Sequence, residues 1–520
     1  MLGALGTIIT NGSLLSNASL VALVGVSTAV AGAVIMGILG SKRPPRFPPG
    51  PSPVPFLGNL SDIRKAGQPL WVTMCDLGRE YGDIFSVKLG DKWYVVLNTY
   101  ETIKEGLTSD PTALSDRPHY YSTDIFSEDY RDLAYTDNTP EWQLHRQFAL
   151  GRFREMSSTA HLDSMVEQHF QRYVLPKLTA DSPSQTTVDG IGLGQAMAMQ
   201  LMVSWNFGLE NEELHQALGQ IVAEDVSLNL VGRRAPVDIF PVLGYLPLGS
   251  TRELKDVVDR FMDLLRVEFR QRREKFHEGD EPTDLCEALI RAQRAAEKDT
   301  ELAFLTDVHV IQVLASSFRG SIGFLTTTYW VLAVLAEYPD VQDRIAKEVR
   351  EVIGTERAPS LADRGALPYT QAAVTESLRF GSVASLGVPR AAHADVTIKG
   401  FDIPKGTVVL YNIYGTHFNE QNFDNPEEFN PGRFLGPDGA LLPSPKVIPF
   451  GLGIRKCAGY AQAESFLFLN LCHLLRGHRL AKVEGAEPAA DGRGSLLVQD
   501  PKFEGSRWPA PFNVTITERE

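Results

Sequence analysis

Cysteine is scarce in this chain. Four thiols in 520 residues, Cys75, Cys286, Cys457 and Cys472, show neither paired nor CxxC spacing, so no disulfide framework and no zinc site is expected. A surplus of positive charge is also missing: 50 Lys and Arg stand against 64 Asp and Glu, for a net charge of −14 and a pI near 5.4. That argues against a general nucleic-acid binder, which carries a basic footprint. No internal repeat is visible. Strands do not alternate with helices along the chain, which argues against a parallel α/β fold. Residues 1–19 lack Lys and Arg altogether. The run Leu20 to Gly40 that follows is uncharged, strongly apolar and about long enough to cross a bilayer as a helix. Lys42, Arg43 and Arg46 come directly after it, a one-sided charge distribution that places the C-terminal side in the cytoplasm. A cleaved signal peptide would carry its positive charges first. The expected organisation is a short lumenal N-terminus (1–19), a transmembrane anchor (20–40), a stiff proline-rich hinge (41–52) and one large folded body (53–520).

What is present is ordinary globular composition, 43% hydrophobic and 22% charged. Ile84 to Leu89 and Trp93 to Leu97, joined by Gly90-Asp91-Lys92, read as a β-hairpin. Most of the chain from there to about residue 380 has helical pattern. Val396 to Ile403 and Thr407 to Leu410 read as strands, and turns with short strands fill Arg479 to Glu520.

Late in the chain stands Phe450-Gly451-Leu452-Gly453-Ile454-Arg455-Lys456-Cys457-Ala458-Gly459, followed by an apolar helical segment, Ala461 to Leu475. A thiolate at a helix N-terminus gains from the dipole and from unpaired N–H groups. Gly453 and Gly459 allow a tight turn and close approach to a flat ligand. Arg455 offers a cation to an acidic group on it. A lone Gly-x-x-x-Cys-x-Gly would suit a buried structural cysteine equally well. The whole ten-residue pattern resembles the haem-ligand loop of the cytochrome P450 family, and three further elements strengthen the likeness. Trp142 and Arg146, four apart on one helix face, resemble the pair that binds a haem propionate. Glu376-Ser377-Leu378-Arg379 resembles the family's Glu-x-x-Arg, with Arg433 in Phe429-Asn430-Pro431-Gly432-Arg433-Phe434 as the third member of a structural lock. Arg390 matches another propionate contact.

The resemblance implies a mainly α fold with a small β-rich lobe, tethered by one helix. It implies haem b with Cys457 as axial ligand, and Trp142, Arg146, Arg390, Phe450, Arg455 and Gly459 as cofactor-binding residues. It also implies a lipophilic small-molecule substrate, and an endoplasmic reticulum membrane location with the catalytic domain on the cytoplasmic face.

One segment departs from the family. Trp330 and Pro339 fix the register of the long helix that normally carries Ala/Gly-Gly-x-Asp/Glu-Thr-Thr over the haem. The same stretch here is Arg319-Gly320-Ser321-Ile322-Gly323-Phe324. Gly320 keeps the small residue, but Ile322 replaces the acid and Gly323 the alcohol. Delivering protons to bound O₂ needs polar groups within hydrogen-bond reach, whereas an organic hydroperoxide arrives with its weak O–O bond formed. This chemistry resembles the P450 branch that rearranges fatty-acid hydroperoxides, so the leading expectation is an epoxyalcohol-synthase-like isomerase needing neither O₂ nor reductase. Its substrate would pass through an alkoxyl radical to an epoxy alcohol. The alternative is an NADPH- and reductase-dependent monooxygenase acting on a lipid or steroid. A non-catalytic haem protein is a third reading. Ile322 and Gly323 are expected to line the distal site. Arg319 either pairs structurally or contacts a substrate carboxylate or the hydroperoxide oxygens.

Overall fold

The computed structural model describes residues 42–519 except 66, 180–184, 210–211, 228–235, 241–242, 244–248, 278, 298–299, 484–494 and 504. The proposed anchor at 20–40 therefore lies outside the described residues. Among those described, one helix is long and apolar enough to cross a membrane, Asp307–Glu337, and it is a largely buried core element.

That helix, α5, is the axis of the molecule. Thr306 precedes it, donating its N–H to His309 Nδ1 at 3.3 Å, and Pro339 follows its last turn. Trp330, Leu332, Ala333 and Leu325 are almost fully buried along it. Around it stand α1 (Tyr121–Ser127), α2 (Pro140–Glu155), α3 (Glu212–Ser227), α4 (Gly249–Lys275), α6 (Pro368–Gly381) and α7 (Tyr460–Gly477). Phe324 meets Phe466 of α7 at 5.8 Å and Phe318 meets Phe261 of α4 at 5.6 Å, so both phenylalanines are packing residues. Thr139 caps α2 by accepting the Trp142 N–H at 3.1 Å, and Pro140 opens its first turn.

The strands form three small sheets. The largest has the order β1 (Ile84–Leu89), β2 (Lys92–Leu97), β7 (Val408–Tyr411), β4 (Arg390–Ala391). The expected hairpin is its edge, paired Ile84 with Leu97 through Leu89 with Lys92. Val396 to Ile403 is not one strand but a hairpin of β5 (Val396–Ile398) and β6 (Phe401–Ile403), because Lys399 and Gly400 turn with positive φ. The third sheet joins β3 (Gln185–Asp189) to β9 (Asn513–Glu518) and β8 (His478–Lys482). The helical reading of the middle of the chain missed β3, whose partner lies more than 300 residues away.

Candidate active site

The cysteine loop sits between the β-rich lobe and the start of α7. Gly451 and Gly453 turn it with φ of 67° and 72°. A Cβ on Gly453 would lie 2.2 Å from the Leu107 carbonyl oxygen, so this position requires glycine. Gly459 does not share that role: its φ is −94° and nothing crowds its Cβ position. The Cys457 N–H donates to the Phe450 carbonyl at 2.9 Å. The Phe450 ring leans on Tyr460, centroids 6.2 Å apart. Cys457 is solvent-accessible, yet surrounding protein dominates its electrostatics, which describes a thiol lining an internal cleft. Burial pushes its pKa up, against the opposing pull of the Gly459 N–H, Arg146 and Lys456. Desolvation thus outweighs the helix-end stabilisation expected from the sequence.

Four arginines crowd beside this loop. Arg455 donates from Nε to the Ser115 carbonyl (2.7 Å) and from Nη2 to that of Thr136 (2.6 Å). Arg117 donates to the carbonyls of Ala134 (2.6 Å), Val388 (3.0 Å) and Pro389 (2.6 Å). Arg390 donates to the Leu452 carbonyl at 3.3 Å, and Arg146 to that of Lys456. Burial first, then the cations Arg117, Arg390 and Arg146, press the Arg455 pKa down to about 8. Burial and then Arg390 bring Arg117 to about 9. Arg455 Nη1 and Arg390 Nε are buried with no partner among the described residues. A crowd of like charges with buried, orphaned donors is complementary to a ligand with acidic groups. Trp142 serves this cluster differently from the expectation. Its indole N–H is committed to the Leu133 carbonyl at 3.1 Å, and its ring faces Arg455 at 3.5 Å and Arg146 at 5.6 Å. It therefore stacks on the arginines rather than offering an N–H to a ligand.

Behind the loop, Glu376 binds Arg379 through two hydrogen bonds (2.6 and 2.8 Å) and accepts from Arg433 Nε at 3.1 Å and from the Asn430 N–H at 2.8 Å. Glu376 and Arg379 are fully buried. Arg379 continues to the carbonyls of His417 and Pro426, both at 2.9 Å. His417 extends the network. Its Nε2 accepts the Ile448 N–H at 2.9 Å, so Nδ1 carries the proton and donates to Ser382 Oγ at 2.7 Å. The Ser382 hydroxyl in turn donates to the Arg379 carbonyl at 2.7 Å. The imidazole thus joins the end of α6 to the start of the cysteine loop.

On the opposite side, Gly320 is exposed and Gly323 half-exposed, one turn apart on a face of an otherwise buried helix. A Cβ on Gly323 would stand 4.0 Å from Val383, just past the end of α6. Ile322 does not share this wall. It is 5% exposed and turns into an apolar cavity bounded by Phe126, Val258, Phe261 and Phe318. The helical rotation of 100° per residue separates the two neighbours. Thr327, one turn beyond Gly323, donates its hydroxyl to the Gly323 carbonyl at 2.8 Å. Arg319 lies at the rim of the same cavity, donating to the Phe126 carbonyl at 3.0 Å. The roof after Phe126 is fixed by three consecutive left-handed residues, Glu128, Asp129 and Tyr130 (φ 46°, 63° and 58°). Glu128 is tied to Arg266 and, at 3.0 Å, to Gln312. His145 is a packed residue, bonded to the His309 carbonyl at 3.0 Å.

Comparison with known proteins agrees with this arrangement. The cytochrome P450 profile matches residues 48–505, and the chain belongs to the cytochrome P450 family. It is 30% identical to the steroid 17-alpha-hydroxylase/17,20 lyase of Oryzias latipes over 90% of this chain and 92% of that one. The protein of the same name from Gallus gallus is also 30% identical, over 89% and 91%. Cytochrome P450 2U1 of Bos taurus is 28% identical over 91% and 89%. These relatives do not support the likeness to hydroperoxide-rearranging enzymes; they favour the hydroxylase alternative. The family uses haem with a cysteine thiolate as axial ligand, and the accessible thiol and the buried, unpartnered arginine donors fit that group. Arg117 and His417 were missed by the sequence reading. Neither stands in a motif singled out above: each earns its place through contacts with segments distant in the chain.

Proposed function

We propose that this chain is a membrane-associated, reductase-dependent P450 monooxygenase acting on a lipid or steroid. The observation that carries this reading is the end-to-end similarity to steroid 17-alpha-hydroxylase/17,20 lyases. When bound, haem supplies a redox-active iron that activates oxygen. Cys457 would ligate the iron. Arg146, Arg390 and Arg455, joined by Arg117, would hold the propionates, with Trp142 bracing the cation stack. Glu376, Arg379 and Arg433 would keep the loop in place. Thr327 would handle protons: its hydroxyl lies on the helix face of Gly320 and Gly323 and is anchored to the Gly323 carbonyl. The apolar run 20–40 and the basic residues after it support an anchor in the endoplasmic reticulum membrane, with the body on the cytoplasmic side.

A second reading, rearrangement of fatty-acid hydroperoxides, is favoured by one specific feature: Ile322 and Gly323 supply neither acid nor hydroxyl at the positions where oxygen-activating members carry both. Here Ile322 adds an apolar side chain to the cavity lining and Gly323 leaves room beside Val383.

One assay separates the readings. The haem-loaded chain is mixed with linoleate hydroperoxide without reductase or NADPH, and separately with lipid and steroid substrates plus both. Turnover only with reductase supports the first reading. Rapid loss of the conjugated-diene absorbance without reductase, giving epoxyalcohols, overturns it in favour of the second.

A further inference from the structure

One tyrosine is wedged among the arginines beside the cysteine loop. Tyr411 ends β7, which pairs antiparallel with β4, Arg390 opposite Val409, and this register sets Tyr411 beside Val388. The side chain is 4% exposed. It lies against two glycines from different loops. A Cβ on Gly387 (φ 59°) would stand 2.2 Å from the ring carbons Cε2 and Cζ, and a Cβ on Gly451 (φ 67°) would stand 3.2 Å from the hydroxyl oxygen. The hydroxyl is thus held against the cysteine loop. The Arg390 guanidinium lies 5.7 Å from the ring. Burial lowers the Arg390 pKa, and the charge and hydrogen bonding of this phenol oppose the lowering. At Arg117 the phenol likewise opposes burial and Arg390.

The groups around this hydroxyl are donors. Tyr411 Oη accepts the Val388 N–H at 3.2 Å, and a guanidinium carries N–H groups only. Neither can take the phenol hydrogen, and no acceptor bonds to it among the described residues. A buried hydroxyl normally finds one. In the same cluster Arg390 Nε and Arg455 Nη1 are also unpartnered. Unspent donors on three side chains, two of them cationic, call for an acceptor with a negative charge and more than one oxygen. A carboxylate meets both demands.

We propose that Tyr411 is a cofactor-binding residue whose phenol O–H donates to a haem propionate, completing the cradle of Arg117, Arg146, Arg390 and Arg455. The inference rests on reading that cluster as the propionate site. The arginines supply charge, which acts over distance. The phenol supplies one directed, neutral donor, which orients the carboxylate without adding a fifth cation where like charges already press the Arg455 pKa down. It also explains the glycine at 387: the turn that leads into Val388-Pro389-Arg390 has to leave room for the ring.

The test is resonance Raman spectroscopy of the haem-loaded full chain in the propionate bending region, with and without Tyr411→Phe, which keeps the ring and removes the hydroxyl. The bending band is expected to move to lower frequency, because losing a hydrogen bond softens the carboxylate. Haem transfer to excess apomyoglobin is expected to quicken about tenfold. The band decides. If it moves, the inference stands whether or not transfer quickens. If it stays, the inference is overturned, and quicker transfer then assigns Tyr411 to supporting Val388 alone. Should Tyr411→Phe not load haem, a crystal structure of the haem-loaded unsubstituted chain decides instead. A phenol oxygen within about 3.5 Å of a propionate oxygen supports the inference, and a longer separation overturns it. Arg455→Gln in the same Raman experiment separates two failures. A band moved by Arg455→Gln but not by Tyr411→Phe rejects Tyr411 and keeps the arginine cradle, whereas a band moved by neither rejects the propionate reading of the whole cluster. No substrate enters these measurements, so their outcome is independent of whether the chain is a monooxygenase or a hydroperoxide isomerase.

Discussion

The two faces of the cleft are built on opposite terms. On the face carrying Cys457, polar groups are numerous, buried and mutually engaged: Glu376 accepts from Arg379, Arg433 and the Asn430 N–H, and His417 bridges two backbone segments. On the α5 face, the hydroxyls of Thr326, Thr327 and Thr328 each return to a backbone carbonyl four residues earlier, and the bare stretch is glycine. The first face is specified by networks that tolerate little change. The second is specified by shape, which leaves its chemistry open to redesign within an unchanged fold. The contrast explains how one chain keeps the family's lock and loop while losing its acid–alcohol pair.

The comparison breaks most visibly at the lock. Glu376→Ala leaves Arg379 and Arg433 buried without their carboxylate and should cost roughly 3–5 kcal/mol, read by denaturant unfolding of the haem-loaded protein. A loss below about 1 kcal/mol would show that the network is not what holds this face.

Acid should weaken the packed body next. His169, His417 and His473 are held near a pKa of about 3, chiefly by burial. The unfolded chain takes up protons at these histidines below about pH 6.5, while the folded one refuses them. Their contribution is therefore complete above about pH 6.5 and drains away as pH falls towards 3, at about 1.4 kcal/mol per group per pH unit. Unfolding curves at pH 7 and pH 5 check this, and equal midpoints would contradict it.

The α5 face is sharpened by Thr327→Val. If Thr327 handles protons, reductase-driven turnover falls about 10²-fold or more, while any hydroperoxide turnover is untouched. Unchanged reductase-driven turnover would remove Thr327 from the proposed chemistry. The smallest effect is expected for Gly323→Ala. The added methyl meets only Val383, at 4.0 Å, so helix propensity should raise stability by about 0.5–1 kcal/mol. A melting temperature that drops would mean the wall beside Val383 is closer than described.

Sequence legibility follows the same division. Glu376 with Arg379 and Trp142 with Arg146 were readable because each pair sits one turn apart on a single helix, where spacing implies proximity. The turn at Gly453 was readable for a similar reason. Contacts between distant segments were not. The Leu133 carbonyl takes the Trp142 indole N–H that the sequence assigned to a ligand. The β3–β9 pairing lacked a local cue strong enough to interrupt a helical pattern. Ile322 and Gly323 looked like one site in a linear register, and the helix pointed them apart. The fold and the thiol loop were therefore legible, the arginine cluster partly so, and the α5 wall only after its rotation was known.

His417 has a consequence for how the molecule comes apart. One ring is bonded through its two nitrogens to two chain segments about 65 residues apart, so the α6 end cannot loosen without taking the support of Ile448 with it. Cofactor release and collapse of that half of the body should then occur as one calorimetric event. Asparagine or glutamine at this position can satisfy one of the two bonds but not both, and should split the transition in two.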